Sequence, residues 1–174
     1  MTSPTDLLVI TASNGENLQP AKRLILTGKK LGAHPDLLDL TTLELPLYNP
    51  RTHTQIGIPP LAKSLSIQMR AIPRWVICAP EYNGSIPPVF TSTLAWLSVQ
   101  EQDFRNLFNG RPIAMATFSG GGGMELLLSL RIQLTHLGAQ VVGRQLMSNN
   151  NKPAKDESIE DLLKRLMQMD PIQL

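Results

Sequence analysis

Three short segments of this sequence are rich in small polar residues and glycine, whose backbone amides and hydroxyls can hold an anion or the polar edge of a ligand. They are residues 11–19 (TASNGENLQ), 79–88 (APEYNGSIPP) and 118–123 (FSGGGG). Each follows a short apolar run and precedes a helical pattern. In an open α/β sheet such loops lie at the carboxyl ends of the strands, where ligands bind. The spacing therefore predicts one ligand site built from three loops.

The middle segment is the most informative. Residues 75–79 (WVICA) are apolar throughout, which is typical of a strand buried on both faces of a parallel sheet. After the loop the period changes, because Val89, Thr93 and Trp96 fall on one helical face and Pro88 lies in the first turn. The segment therefore joins a strand to a helix, and its Asn-Gly pair permits a tight turn that presents free amides.

Residues 80–85 (PEYNGS) resemble the corresponding loop of the NADPH-dependent FMN reductases, a family that includes quinone, chromate and azo-dye reductases with a flavodoxin-like fold. Residues 45–49 (LPLYN) and 118–123 also resemble that family in order and spacing, so the resemblance covers nearly the whole chain. It implies that the main chain of the middle loop binds the edge of a flavin ring. The cofactor-binding residues implied there are Pro80, Glu81, Tyr82, Asn83, Gly84 and Ser85.

The first loop precedes a predicted helix, whose N-terminal amides and partial positive charge favour a phosphate. The candidates there are Ser13, Asn14, Asn17 and Leu18. The family usually has a glycine-serine pair followed by an arginine. Here Ala12 precedes the serine, no arginine follows, and Glu16 adds a negative charge. The alternative is that residues 13–17 are only a turn and a helix cap.

Four consecutive glycines, residues 120–123, end the third segment. Glycine loses the most conformational entropy on ordering, so such a run indicates positive φ angles or close approach of the backbone to a ligand. Next to a flavin, these amides would stabilise the negative charge that develops near N1 on reduction. The candidates are Ser119, Gly120, Gly121 and Gly122. The alternative is a flexible loop that caps the next helix.

Strand and helix patterns alternate along the chain. Strands are predicted at residues 6–12, 35–40, 74–79, 112–118 and 139–143, helices at 18–31, 59–70, 88–98, 124–137 and 157–169, and irregular connections at 41–58 and 100–110. With the resemblance, this predicts an α/β, flavodoxin-like three-layer sandwich: a five-stranded parallel sheet of order 2-1-3-4-5 with helices on both faces. One domain over residues 1–174 accounts for the length.

Composition excludes several classes of function. A net charge of +2, spread along the chain, does not predict a nucleic-acid partner. Neither a membrane span nor a signal segment is recognisable, so we expect a cytoplasmic protein. Cys78 is the only cysteine and lies in an apolar run, where it acts as a small hydrophobe. The three histidines show no ligand spacing, so no metal site is expected.

A homodimer or homotetramer is expected. In the helix predicted at 124–137, apolar residues cover more than one helical face. They are Met124, Leu127, Leu128, Leu130, Ile132, Leu134 and Leu137. This pattern predicts burial by the sheet and by a partner, the alternative being a deeply buried helix. In the family the flavin site is completed at a dimer interface, to which the helix corresponding to residues 88–98 contributes. Polar residues that the family commonly has in that helix are replaced here by Thr91, Ser92 and Ala95. Tyr82 is expected beside the flavin or in that interface, and Glu81 either in an ion pair or in solvent.

The resemblance implies an FMN-dependent NAD(P)H oxidoreductase. NADPH or NADH would pass a hydride to N5 of bound FMN, which would then reduce a small-molecule acceptor (a quinone, an azo compound, a metal oxyanion or free flavin) with ping-pong kinetics. No catalytic side chain is required. The alternatives are a flavodoxin-like electron carrier, which a pI near 8.9 disfavours, and a divergent member that has lost FMN and acts as an interaction protein.

Overall fold

One parallel sheet organises residues 6–13 and 15–173, which are the residues that the computed structural model describes. Its strands are β1 (Leu7–Thr11), β2 (Pro35–Asp39), β3 (Arg74–Cys78), β4 (Pro112–Phe118), β5 (Gln140–Val141) and β6 (Leu146–Ser148). The helices are α1 (Leu18–Lys30), α2 (Pro50–Ile56), α3 (Pro60–Ala71), α4 (Pro88–Ser98), α5 (Met124–His136) and α6 (Asp156–Met167). The predicted strand and helix alternation is thereby confirmed.

The strand order is β2-β1-β3-β4-β5, as predicted, and β6 adds a sixth strand beside β4. β5 pairs with the start of β4 and β6 with its end, so the two short strands share one edge of the sheet. The strand predicted at 139–143 is thus shorter than expected, and the second short strand, β6, was not predicted. Between β5 and β6 the guanidinium of Arg131 donates to the carbonyl of Val142 at 3.0 Å and to Oε1 of Gln145 at 3.2 Å, which ties the segment between the two strands to α5.

Alternation along the strands divides the core into two layers. In β1, Leu8 and Ile10 face a cluster that includes buried residues of α3, α4 and α5, whereas Leu7 and Val9 face α1 and α6. Both faces of the sheet are thus covered by helices, which explains why the central strands are apolar throughout. The three-layer prediction is confirmed.

The connection predicted as irregular at 41–58 contains α2, so that prediction is wrong. Oδ1 of Asn49 accepts a hydrogen bond from the amide of Thr52 at 2.9 Å, and Pro50 follows as the first helical residue. The ring of Tyr48 packs edge-on against Trp96 at 5.0 Å, and Trp96 Nε1 donates to the carbonyl of Pro46 at 2.7 Å. This segment therefore covers α4. It has no buried helical face, which is why periodicity did not reveal it.

Candidate functional site

The first and third loops are joined at their bases by Asn17, which is 1% exposed. Its Nδ2 donates to the carbonyl of Phe118 at 2.7 Å, and its Oδ1 accepts from the amide of Phe118 at 2.8 Å. The thiol of Cys78 donates to the carbonyl of Asn17 at 3.3 Å. The side chain of Asn17, predicted as a cofactor contact, is thus committed to holding the start of α1 against the ends of β3 and β4.

Two hydroxyls fix the neighbouring strand ends. Oγ1 of Thr117 donates to the carbonyl of Ala79 at 2.7 Å, and Oγ of Ser148 donates to the carbonyl of Thr117 at 2.9 Å. The amide of Ser119 then donates to the carbonyl of Ser148 at 3.0 Å. These bonds position the glycine loop on a rigid edge formed by β3, β4 and β6.

The middle loop forms a two-residue hairpin turn. Tyr82 and Ser85 exchange both backbone hydrogen bonds at 2.9 Å, and the two residues between them have positive φ angles, 50° for Asn83 and 69° for Gly84. This is the geometry of a type I′ turn, for which Asn-Gly is the preferred pair. Among the described residues, no acceptor takes a hydrogen bond from the amide of Asn83 or Gly84. The predicted turn is confirmed, and its amides are available to a ligand.

Glu81 connects the middle loop to α5. Its Oε2 accepts a hydrogen bond from the amide of Leu126 at 3.4 Å, in the first turn of the helix. The N-cap residue of α5 is Gly123, which supplies no side-chain cap. A carboxylate from another loop therefore occupies the end of the helix, where a partial positive charge favours an anion. The two interpretations of Glu81 were an ion pair that orients the loop or a solvated carboxylate. Among the described residues Glu81 forms no ion pair, and its carboxylate contacts a helix end instead.

The glycine loop uses its glycines for two separate reasons. Gly122 and Gly123 have φ angles of 100° and 78°, and a Cβ on Gly123 would lie 2.5 Å from Cγ2 of Thr117. The amide of Gly122 donates to the carbonyl of Ser119 at 3.1 Å. The amides of Gly120 and Gly121 have no acceptor among the described residues. Gly122 and Gly123 thus shape the turn, whereas Gly120 and Gly121 leave their backbone amides free to donate.

A cleft of about 360 Å³ opens between these loops. Its wall contains Ser13, Glu16, Asn17, Pro80, Glu81, Phe118, Ser119, Gly120 and Asn150. Six predicted cofactor-binding residues therefore lie together: Ser13, Asn17, Pro80, Glu81, Ser119 and Gly120. The other described candidates lie outside the wall: Leu18, Tyr82, Asn83, Gly84, Ser85, Gly121 and Gly122. Asn14 lies outside the described residues.

Three residues of the wall were not among the predicted contacts: Glu16, Phe118 and Asn150. Asn150 lies in a turn closed by reciprocal backbone hydrogen bonds between Asn149 and Lys152, at 3.1 and 3.2 Å. That turn follows β6, the strand that was not predicted. Because β6 ends at the same edge as β4, its following loop reaches the cleft. The sequence signal that could have indicated β6 and its following loop is the short apolar run before the polar residues 149–152.

The charges of the cleft are negative. Glu16 and Glu81 line it, and the described residues of its wall include no lysine, arginine or histidine. Burial raises the pKa of the Cys78 thiol to about 12, so this thiol stays protonated and serves as a packed, hydrogen-bonding group rather than a nucleophile. Within residues 6–13 and 15–173, no group of three or more His, Cys, Asp or Glu side chains is placed to hold a metal ion.

Strand-end loops over a doubly wound sheet of order 2-1-3-4-5 define a flavodoxin-like protein, and its cleft lies at the strand ends, where ligands bind in folds of this class. The sequence model of the NADPH-dependent FMN reductases matches residues 5–153. The chain belongs to that family. No helix in the described part of the chain is both long and apolar enough to cross a membrane.

Individual relatives agree with this assignment. A quinone reductase of Escherichia coli K12 is 28% identical over 134 residues, 75% of this chain and 66% of that protein. An NAD(P)H-dependent FMN reductase of Pseudomonas aeruginosa is 30% identical over 108 residues, 62% of this chain and 53% of that protein. The chain thus aligns with less than two thirds of the length of these relatives.

The fold has a match in a solved structure. FerB, a flavoenzyme NAD(P)H:(acceptor) oxidoreductase from Paracoccus denitrificans, superimposes with a TM-score of 0.72 over 95% of this chain and 99% of FerB, at 16% identity. At that identity the similarity establishes the shared fold. The predicted flavodoxin-like architecture is confirmed.

Proposed function

We propose that this chain is a flavin-dependent NAD(P)H oxidoreductase that reduces a small-molecule acceptor such as a quinone. One observation carries the proposal. Two loops with free backbone amides, the Asn83–Gly84 turn and Gly120–Gly121, lie near each other because Glu81 of the first loop contacts α5, which follows the second. Membership of the FMN reductase family supports it. So does the similarity to a quinone reductase and to an NAD(P)H-dependent FMN reductase.

The loops around the cleft offer donors that suit the ring of a flavin. Four amides have no acceptor among the described residues: that of Gly120 in the cleft wall, and those of Asn83, Gly84 and Gly121 in the same loops but outside the wall. They could donate to the carbonyl and nitrogen atoms of a ring edge. The cleft, about 360 Å³, lies within the usual range of small-molecule sites. Among the described residues no atom of a non-neighbouring residue lies within 4 Å of the Cβ position of Gly120, so the backbone there is open to close approach by a flat ligand.

Bound FMN would supply the redox chemistry, accepting a hydride (two electrons and one proton) from NADPH or NADH and passing two electrons to a quinone, which takes two protons, one of them from solvent. The protein's part is to orient and to stabilise. Free amides of the glycine loop would stabilise negative charge on the reduced ring, and the contact of Glu81 with the start of α5 would fix the middle loop relative to the helix that follows the glycine loop. Donor and acceptor would use the same open face in turn, which gives ping-pong kinetics. No side chain is assigned a proton-transfer role.

A homo-oligomer is part of this proposal. α5 has one fully buried face and a second face on which Met124, Leu128 and Ile132 are 42, 52 and 71% exposed. Their spacing of four residues makes them a continuous apolar stripe. Tyr82, 53% exposed, adds an aromatic side chain at the tip of the middle loop, whose turn adjoins the first turn of α5 at Glu125. A second copy covering this stripe would also lie next to the flavin site.

The test is a visible absorption spectrum of the purified protein after incubation with FMN and desalting, followed by anaerobic addition of NADPH and then of a quinone. We expect a retained yellow chromophore that bleaches with NADPH and recovers its colour with the quinone. Retained FMN that neither NADPH nor NADH bleaches would contradict the reductase and indicate an electron carrier. Protein that retains no flavin, and binds none in an equilibrium titration, would indicate an interaction protein instead.

A further inference from the structure

The end of the cleft at the start of α1 carries a carboxylate where a phosphate would bind. Residues 11–20 include a single ionisable residue, Glu16, and no lysine, arginine or histidine. Glu16 is exposed, lines the cleft and lies two residues before Leu18, the first residue of α1. The helix N-terminus attracts anions, but here it already has a fixed negative charge beside it. A flavin phosphate of charge about −1.5 to −2 at pH 7 would be repelled by that carboxylate.

Two of the described polar side chains at this end, Asn17 and Ser13, have partners within the protein. Both polar atoms of the Asn17 amide are bonded to the backbone of Phe118. Oγ of Ser13 accepts a hydrogen bond from the amide of Gly15 at 3.1 Å, which shapes the loop. These contacts hold the loop in place. Of these two side chains, Ser13 keeps its O–H free to donate, and the rest of the attraction for a phosphate comes from backbone amides and the helix dipole.

The neighbouring cations are held outside the cleft. Arg23 lines a smaller adjoining pocket, which shares Glu16 and Phe118 with the cleft. Its Nη2 atom lies 2.6 Å from Oδ1 of Asp156, and this hydrogen bond lowers the pKa of the aspartate. Lys152 is exposed at the base of the Asn149–Lys152 turn and is not part of the cleft wall. The carboxylates of Glu16 and Glu81 are therefore the charged groups that a bound flavin would meet in the wall.

We propose that the flavin site selects for the isoalloxazine ring and not for the 5′-phosphate, so that riboflavin binds about as tightly as FMN, and that Glu16 sets this specificity. The inference rests on the proposed function, because it assumes that the cleft binds a flavin. It follows from two opposing electrostatic effects on a phosphate at the start of α1. The α1 amides attract the phosphate and the Glu16 carboxylate repels it, whereas the uncharged ring is affected by neither.

The test is equilibrium titration of FMN and of riboflavin with the desalted protein, followed by flavin fluorescence at low ionic strength and again in 0.5 M NaCl. For the natural chain we expect dissociation constants that agree within about threefold. Glu16→Gln should tighten FMN about fivefold to tenfold at low salt and leave riboflavin unchanged, and the gain should shrink in high salt because the repulsion is screened. Glu44→Gln removes an exposed carboxylate in a segment that does not line the cleft and should change neither constant.

Two results would overturn the inference while leaving the proposed function intact. One is FMN binding at least tenfold tighter than riboflavin in the natural chain. The other is a Glu16→Gln variant with an unchanged ratio of the two constants. If neither flavin binds to the natural chain, the proposed function itself fails. Since binding is measured without a reductant, these results do not depend on turnover.

Discussion

Cys78 shows how a single buried group makes stability depend on pH. Its side chain has no exposed surface, and burial raises its pKa from 9.0 to about 12. In the unfolded chain the thiol loses its proton above about pH 9, whereas in the folded chain it keeps it until about pH 12. The unfolded state therefore binds fewer protons within this interval. The contribution of the thiol to stability is complete below pH 9 and is lost as the pH rises towards 12.

We expect the free energy of unfolding of the natural chain to fall more steeply than that of Cys78→Ala between pH 8 and pH 10.5, by about 2 kcal/mol. Urea unfolding of both proteins at the two pH values measures this. The variant is its own control, because tyrosines and lysines titrate in both proteins and cancel in the comparison. Parallel pH profiles would show that the thiol is not buried as described.

Gly123 is the glycine whose replacement should cost the most in the third loop. Its φ angle is 78°, and an added Cβ would lie 2.5 Å from Cγ2 of Thr117. Gly123→Ala should therefore lower the free energy of unfolding by about 2 to 3 kcal/mol, from backbone strain and steric overlap together. Gly120→Ala is the matched control, because in the described part of the chain no atom beyond its chain neighbours lies within 4 Å of its Cβ position, and its φ angle is not positive. Equal losses in the two variants, measured by urea unfolding, would refute the argument.

At the scale of elements, α5 depends on a residue outside it. The helix begins after Gly123, which provides no side-chain cap, and the carboxylate of Glu81 accepts the amide of Leu126. We expect Glu81→Ala to lower the free energy of unfolding by about 1 kcal/mol and to speed hydrogen exchange of the Leu126 amide. Glu81→Gln keeps an acceptor and should retain part of the protection.

Glu125→Ala is the control for this contact. Glu125 is an exposed acidic residue in the first turn of the same helix, so its removal weakens only the interaction with the helix dipole, by about 0.3 to 0.5 kcal/mol. If exchange at Leu126 is as fast in Glu125→Ala as in Glu81→Ala, the carboxylate of Glu81 has no specific role at the helix end.

The central elements were predictable because their signals are local. β3 and β4 are nearly continuous apolar runs, and α1 and α6 have strong apolar stripes. β6 is only three residues long, so its apolar character is too brief to distinguish from a loop. Missing it also removed Asn150 from the predicted site, because a loop can be placed at the strand ends only when its strand is known.

The site was predictable where a few adjacent residues determine the backbone conformation. Asn83 and Gly84 predict a tight turn, and the glycine run predicts positive φ angles. The contacts that join the loops had no such signal. Asn17 pairs with Phe118, 101 residues away, and Glu81 pairs with Leu126, 45 residues away. These pairs are set by the packing of the whole sheet, so a single sequence does not reveal them.

At the scale of the whole molecule, Met124, Leu128 and Ile132 form an exposed apolar stripe along α5. α4, which packs on the same face of the sheet, has no charged residue. A continuous exposed apolar surface of this kind marks an interaction site. Covering it with a second copy of the chain would remove three large side chains from water twice over, because a twofold interface uses the same patch on both partners.

We therefore expect the protein to sediment as a dimer or larger at micromolar concentration, and the double variant Leu128→Glu/Ile132→Glu to sediment as a 19.2 kDa monomer, because charges would be buried without partners. Ile67→Glu is the matched control, since Ile67 is 73% exposed on α3 and lies outside the stripe. Its assembly should equal that of the natural chain. A monomeric natural chain would contradict the proposed interface, and so would a double variant that keeps the assembly. If the partner also completes the flavin site, the monomeric variant should bind FMN more weakly even though none of the cleft residues has changed.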